Sequence, residues 1–225
     1  MLVKDKMTKS PITVGKKETL VSAARLMHEK NVRHLPILED GHLIGLLSFT
    51  DIMRAMPSNV STLELHEANS LFNSVRIQDA LPERQKLITV KEDTCIEEAA
   101  LIMRSYKIGC LPVLDPQGKL VGLFTENDIF DSVIDLLGVR SSGSRISINI
   151  GGEPGIIAEI TSIIKSFNAN ITKIGMIPRD DSHYRVIIRL QAEDLQAVVD
   201  ALAAHGYQVE ALADARKPFS TRSPQ

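Results

Sequence analysis

Apolar and polar positions along the chain fall into one cycle written twice, followed by a different one. In the first cycle Ile12–Val14 predicts a short strand. Thr19 can cap a helix whose apolar positions Leu20, Ala23, Ala24 and Met27 share a face, and Asn31 is a stop signal. Leu35–Leu38 and Leu43–Leu47 are short apolar runs joined by Glu39-Asp40-Gly41-His42, a hairpin turn with glycine where positive φ is needed. A helix follows from Asp51. The second cycle keeps the order: strand Ile88–Val90, a helix opened by Thr94 and Glu97 as a capping box, strands Leu111–Leu114 and Leu120–Phe124, and a helix from Asn127 to a stop at Gly138. Both hairpin strands in each copy are continuous apolar runs, which predicts sheets covered on both faces and the two copies packed sheet against sheet.

The repeat is close. Leu35-Pro36-Ile37-Leu38 returns as Leu111-Pro112-Val113-Leu114, and Gly45 … Ser48-Phe49-Thr50-Asp51 as Gly122 … Thr125-Glu126-Asn127-Asp128. The offset is 76 residues at Pro36 and Pro112 and 77 at Asp51 and Asp128, so one residue is inserted at Asp115–Gly118. Such a period, with two copies, predicts paired modules, not a solenoid. Between them Leu65, Ala68 and Phe72 form a helical stripe in a connector. After Ser141-Ser142-Gly143-Ser144, which has the composition of a flexible linker, the pattern changes. Ile146, Ile148 and Ile150 alternate with polar residues, and Gly151-Gly152-Glu153-Pro154-Gly155 turns into a helix with Pro154 at its first positions. The apolar face of that helix is Ile156, Ile157, Ile160, Ile163, Ile164 and Phe167. Strands Ile171–Ile177 and Tyr184–Leu190 are joined at Arg179–Ser182, and a helix Leu195–His205 precedes a strand Gln208–Leu212. The order βαββαβ is that of a ferredoxin-like unit. The expected organisation is thus α/β (α+β): 1–56 first repeat, 57–76 helical connector, 77–140 second repeat, 144–212 third module, and 213–225 a disordered tail.

Composition narrows the function classes. At 44% apolar and 24% charged the chain suits packed cores, and a net charge of −2 gives no basic surface for nucleic acid. No apolar run reaches membrane-span length and the N-terminus lacks a signal-peptide pattern, so we expect a cytoplasmic protein with no membrane partner. Cys95 and Cys110 lack metal-ligand spacing. A disulfide between them is open, but two buried thiols in a reducing compartment are the expectation. The six histidines are scattered with no two at metal-ligand spacing, and no nucleophile elbow or phosphate-binding lysine loop occurs. Asp180-Asp181 lies in a solvated turn. Neither an enzyme, a metal nor an obligatory cofactor is expected.

Ser48, Thr50 and Asp51, and again Thr125, Asn127 and Asp128, stand where a strand gives way to a helix. Taken locally each group is an N-cap. Repeated at matched positions, it offers hydroxyls to a phosphate and a carboxylate to the two hydroxyls of a ribose.

The repeated strand–helix–strand–strand–helix with Gly-x-x-Ser/Thr-x-x-Asp resembles a tandem pair of CBS domains. The third module, with its Pro-Gly turn and Asn170-Ile171 opening its second strand, resembles an ACT domain. This order, with Pro57-Ser58 and the insert bearing Glu67 and Leu71-Phe72, is similar to the acetoin-utilisation protein B family, over about residues 1–212. The resemblance implies a regulatory sensor in which those six residues hold the ribose and phosphate of an adenosine nucleotide such as AMP, ADP, ATP or NAD. It places the purine slot at Ile12, Thr13 and Val32–Pro36 in one copy and at Ile88, Thr89 and Ile108–Pro112 in the other. Arg33-His34 in the first is replaced by Gly109-Cys110 in the second. The pair is either a solvated edge or a clamp for phosphate, so the second site should have more room and less charge.

The ACT resemblance implies an amino-acid site at a subunit interface, formed by Gly152, Glu153 and Gly155 with Asn170 and Ile171, although Gly152 replaces the usual aspartate. The other reading of that loop is a tight turn in a domain used for dimerisation. Flat CBS faces and ACT edge strands imply a homodimer acting on a partner enzyme. Three alternatives stand beside the sensor: an amino-acid sensor working through the third module, a dimeric scaffold without a small-molecule ligand, and an enzyme with an unrecognised site, which nucleotide turnover would reveal.

Overall fold

A computed structural model of the chain describes residues 1–55, 75–80 and 87–215. The connector stripe at residues 65–72 and all of the expected tail beyond 215 lie outside them. The chain divides into two compact units, Met1–Phe130 and one that begins at Asp131.

In the first unit each repeat is a three-strand motif with helices. After a short strand β1 (Thr8–Lys9), the first repeat runs β2 (Val14–Gly15), α1 (Leu20–Glu29), β3 (His34–Glu39), β4 (His42–Ser48), α2 (Phe49–Ala55) and, past the connector, α3 (Ile77–Ala80). The second runs β5 (Val90–Lys91), α4 (Ile96–Tyr106), β6 (Cys110–Leu114), β7 (Leu120–Thr125) and α5 (Glu126–Leu136). In both, the first strand pairs parallel to the second and the second antiparallel to the third. Thr19 caps α1, accepting from the Ser22 N–H at 3.1 Å, and Leu20, Ala23 and Met27 are buried below it. Asp40 (φ 50°) and Gly41 (φ 80°) both take the left-handed conformation that a two-residue hairpin turn requires. The longer second turn is held by Asp115, whose Oδ1 accepts from the N–H groups of Gln117 and Lys119.

Several expectations change. The first strands begin two residues late, leaving Ile12, Thr13, Ile88 and Thr89 in the approach to them. α4 is capped at Cys95 with no side-chain hydrogen bond, because Thr94 Oγ1 instead accepts from the Lys91 N–H at 3.1 Å. β4 is covered on one face only: Leu47 is buried while Ile44 is exposed. Cys110 is buried, but Cys95 is exposed.

Within their contiguous bounds the two repeats exchange their leading segments. Val3 and Met7 belong to the core built from Val90, Ala99, Met103, Leu111, Val113 and Phe124. β1 lies on the edge of β7, pairing Thr8 with Leu123 and Lys9 with Gly122. There is no room there for a side chain, since a Cβ on Gly122 would overlap the Met7 sulfur and lie 3.1 Å from the Thr8 carbonyl. In return Ile77 is buried in the core of Val14, Leu20, Ala23, Met27, Leu35, Ile37, Leu47 and Ile52. The two clasps share one hydrogen-bond scheme. Val3 N–H donates to Thr94 O and Lys4 N–H to Glu92 O, while Ile77 N–H donates to Glu18 O and Gln78 N–H to Lys16 O. Asp5 and Asp79 each turn back to accept from a backbone N–H three residues earlier.

The second unit holds β8 (Gly143–Gly151), α6 (Ile156–Ser166), β9 (Asn170–Pro178), β10 (His183–Gln191), α7 (Leu195–Ala204) and β11 (Val209–Ala215). The sheet order β11-β8-β10-β9, all antiparallel, is the ferredoxin-like arrangement. Ile146, Ile148 and Ile150 face a core with Ile160, Ile164, Val186, Ile188 and Leu190. Gly143 and Ser144, read as linker, are strand residues paired with β10 and β11. Pro154 precedes the cap of α6, which is Gly155 at φ 91°, and Phe167 lies past the end of the helix, exposed. Residues 213–215, placed in the tail by sequence, are part of β11.

Candidate functional site

Both strand-to-helix junctions are closed by a hydroxyl residue and an aspartate three residues on, and the first is a full capping box. The Ser48 hydroxyl and N–H both donate to Asp51 Oδ2, at 2.6 and 2.8 Å, and the Asp51 N–H donates back to Ser48 Oγ. Thr125 repeats this toward Asp128 Oδ2 with its hydroxyl and N–H, both at 2.7 Å. One carboxylate oxygen of each aspartate is therefore spent on the helix start. Asp51 Oδ1 has no hydrogen bond among the described residues.

Two cavities open beside these junctions, each built crosswise from both repeats. The first, about 390 Å³, joins Ser48, Thr50 and Asp51 of the first repeat to Ile88, Ile108, Gly109, Cys110 and Pro112 of the second. The second, about 620 Å³, joins Ile12, Val32 and Arg33 of the first to Thr125 and Asn127 of the second. Thr13, Pro36, Thr89 and Asp128 line neither. The expected inequality between copies does not carry over, because each cavity mixes the two: Gly109 lines both, and Cys110 stands in the smaller with the cations Arg54 and Lys107. The larger has Arg33 facing a carboxylate, Glu126. Sequence reading missed Arg54, Lys107 and Glu126. Lys107 does have a signal in hindsight, because it takes the left-handed position that Asn31 takes in the first copy, and each of the two lines a cavity.

His34 lines both cavities. Burial lowers its pKa below the usual imidazole value, against the opposing pull of Asp51 and Glu126 and with a smaller push from Arg33. Its counterpart Cys110 is driven the other way for a thiol: burial, aided by the charge of Asp128, pushes it up to about 12, so it stays protonated and unreactive. The lowered His34 makes a pH prediction. The unfolded chain binds the proton more readily than the folded one, so stability contributed by the neutral ring is present above pH 6.5 and lost as pH falls through the folded pKa. The melting temperature of the parent relative to His34→Gln should fall as pH drops from 7.5 to 5.5. A gap that moved the other way would contradict this.

In the second unit the residues proposed for an amino acid do not come together within one chain. Gly151 pairs with His183 at the start of β10, whereas Asn170 pairs with Gln191 at its end. Eight residues of extended strand separate these ends by about 27 Å. Asp180 sits in the solvated turn, where the N–H of Ser182 and the ring of His183 bond it and lower its pKa to about 2. Among the described residues no group of three histidine, cysteine or acidic side chains could hold a metal, and no helix is long and apolar enough to cross a membrane.

The CBS domain family model matches residues 3–58 and 79–135. A CBS domain-containing protein of Dictyostelium discoideum is 31% identical over 147 residues, covering 61% of this chain and 94% of its own. A solved Vibrio cholerae protein assigned to acetoin utilization matches with a TM-score of 0.50 and 30% identity, covering 62% of this chain and 94% of that one. An L-aspartate semialdehyde sulfurtransferase of Methanocaldococcus jannaschii is 31% identical over 129 residues, but the chain spans only 22% of its length.

Proposed function

Because the chain belongs to the CBS-domain family, we propose that its paired repeats are a regulatory sensor for an adenosine-containing nucleotide, AMP, ADP, ATP or NAD, held in the two crossed cavities. The observation that carries this reading is the crossing itself. Each cavity sets the hydroxyl and amide groups of one repeat against the apolar slot of the other, in volumes of about 390 and 620 Å³ that suit a small ligand. A molecule bridging two repeats binds one packing of them better than another, which is what a ligand-driven switch needs. The signal passes to the ferredoxin-like unit, which we take as an ACT-like relay, or to a partner enzyme. The Vibrio cholerae match makes acetoin metabolism the first setting to examine. We further assign to this sensor a cytoplasmic location and a homodimeric state, in keeping with the exposed apolar Ile174, Met176 and Ile177 on the edge strand β9. An amino-acid site made of Gly152–Gly155 and Asn170 would need two chains, because the two segments lie at opposite ends of β10 within one.

Thermal unfolding with AMP, ADP, ATP, NAD and mixed amino acids tests this. A nucleotide at about 100 times its dissociation constant should stabilise the chain by roughly 2.7 kcal/mol. Thr50→Ala with Asn127→Ala should remove most of that shift, because these residues line the cavities without taking part in either cap. A shift with amino acids alone would favour the third module as the sensor. No shift with any compound would leave a dimeric scaffold.

A further inference from the structure

We propose that His34 is a protonation site shared by the two cavities, so that anionic ligands bound in both take up one proton between them and each favours the other. This rests on the nucleotide reading and specifies how its two sites communicate.

The geometry supplies the shared position. His34 opens β3 opposite Ser48 on β4 and lines both cavities. The charged groups that act on it are Asp51 from α2, Glu126 from α5, and Arg33 from its own segment. Arg54 and Lys107 add positive charge to the wall of the smaller cavity.

The asymmetry of the repeats supplies the count. By the internal repeat the counterpart of His34 is Cys110, opposite Thr125 in the matching register. Its thiol holds its proton to about pH 12. The second repeat therefore adds no group at this position that changes charge near neutrality, whereas an imidazole is suited to do so. Two sites converge on one titrating ring.

The consequence is a linkage. In the empty protein at neutral pH, burial keeps the ring uncharged. A phosphate arriving in either cavity adds negative charge beside it and draws a proton on. The second phosphate then meets an imidazolium already formed and binds more tightly than it would alone. By reciprocity the effect is the same whichever cavity fills first. It fades at low pH, where the ring is charged before any ligand arrives, and at high pH, where no ligand charges it.

Calorimetric titration of the full chain with AMP, in two buffers of different ionisation enthalpy at pH 7.5, counts the protons taken up. The nucleotide's own phosphate titrates near pH 6, so the informative quantity is the difference between the parent and His34→Gln. We expect that difference to approach one proton summed over two bound AMP molecules. We also expect a second-step affinity raised by roughly 5-fold, with both effects lost in His34→Gln. Glu126→Gln keeps the ring but removes a carboxylate that faces it, and should shift the pH window of uptake downward. One proton per AMP, uptake unchanged in His34→Gln, or occupation of a single cavity would overturn the shared site. Absence of AMP binding at any pH would instead overturn the nucleotide reading.

Discussion

Deleting residues 1–9 should open the second repeat while sparing the first, although the deletion abuts the first in sequence. Val3 is fully buried and Met7 nearly so in the core around Phe124, and β1 closes the edge of β7. Burial of a valine or methionine side chain contributes about 1.5–3 kcal/mol, so losing both costs on the order of 3–6 kcal/mol before the strand pairing is counted. Against a typical domain stability of about 5–15 kcal/mol, that is a large share. Hydrogen exchange should show amides of β6, β7 and α4 losing protection, with those of β3, β4 and α1 nearly unchanged. Equal loss in both repeats, or loss confined to the first, would sink the exchange as an energetic fact.

Ile77→Ala should give the mirror image. Ile77 is fully buried among Leu20, Met27, Leu35 and Leu47, and α3 is fastened by the Ile77 and Gln78 N–H groups. Truncating a buried isoleucine costs about 2–5 kcal/mol, the upper values where the surroundings cannot collapse. Here they are two layers of secondary structure, so relaxation is limited. The chevron of the full chain, or exchange at β3 and β4, should report the loss in the first repeat, 48 to 57 residues before the mutation for α1. Native-like protection of α1 in the variant would show Ile77 to be a passenger.

What could be seen in the sequence was what the chain states locally. Thr19 names its own helix start, Asp40-Gly41 its turn, and Ile146, Ile148 and Ile150 their strand, because cap, turn and alternation depend on near neighbours. The paired prolines and aspartates gave the repeat and both N-caps. The clasp was invisible for the opposite reason. Val3 and Met7 stand among Lys4, Asp5 and Lys6, with no periodicity to mark them, and Thr8-Lys9 is too short and polar to announce a strand. Thr94 and Glu97 had the spacing of a capping box, but a rival donor at Lys91 took the threonine oxygen. The crossed cavities depend on which repeat faces which. Glu126, Arg54 and Lys107 escaped because they stand where the copies differ, matching Phe49, Asp131 and Asn31. A search guided by repetition passes over such positions.

The exchanged leading segments also bear on how such a chain can arise and change. A gene fragment stopping after residue 55 would encode Val3 and Met7 without the core that receives them, and would lack the Ile77 that its own core requires. Neither copy is then a heritable unit by itself. Each copy depends on the other, because each takes its opening core residues from its neighbour. That dependence is confined to the cores and leaves the cavity walls free to differ between the copies, as Arg33-His34 and Gly109-Cys110 do.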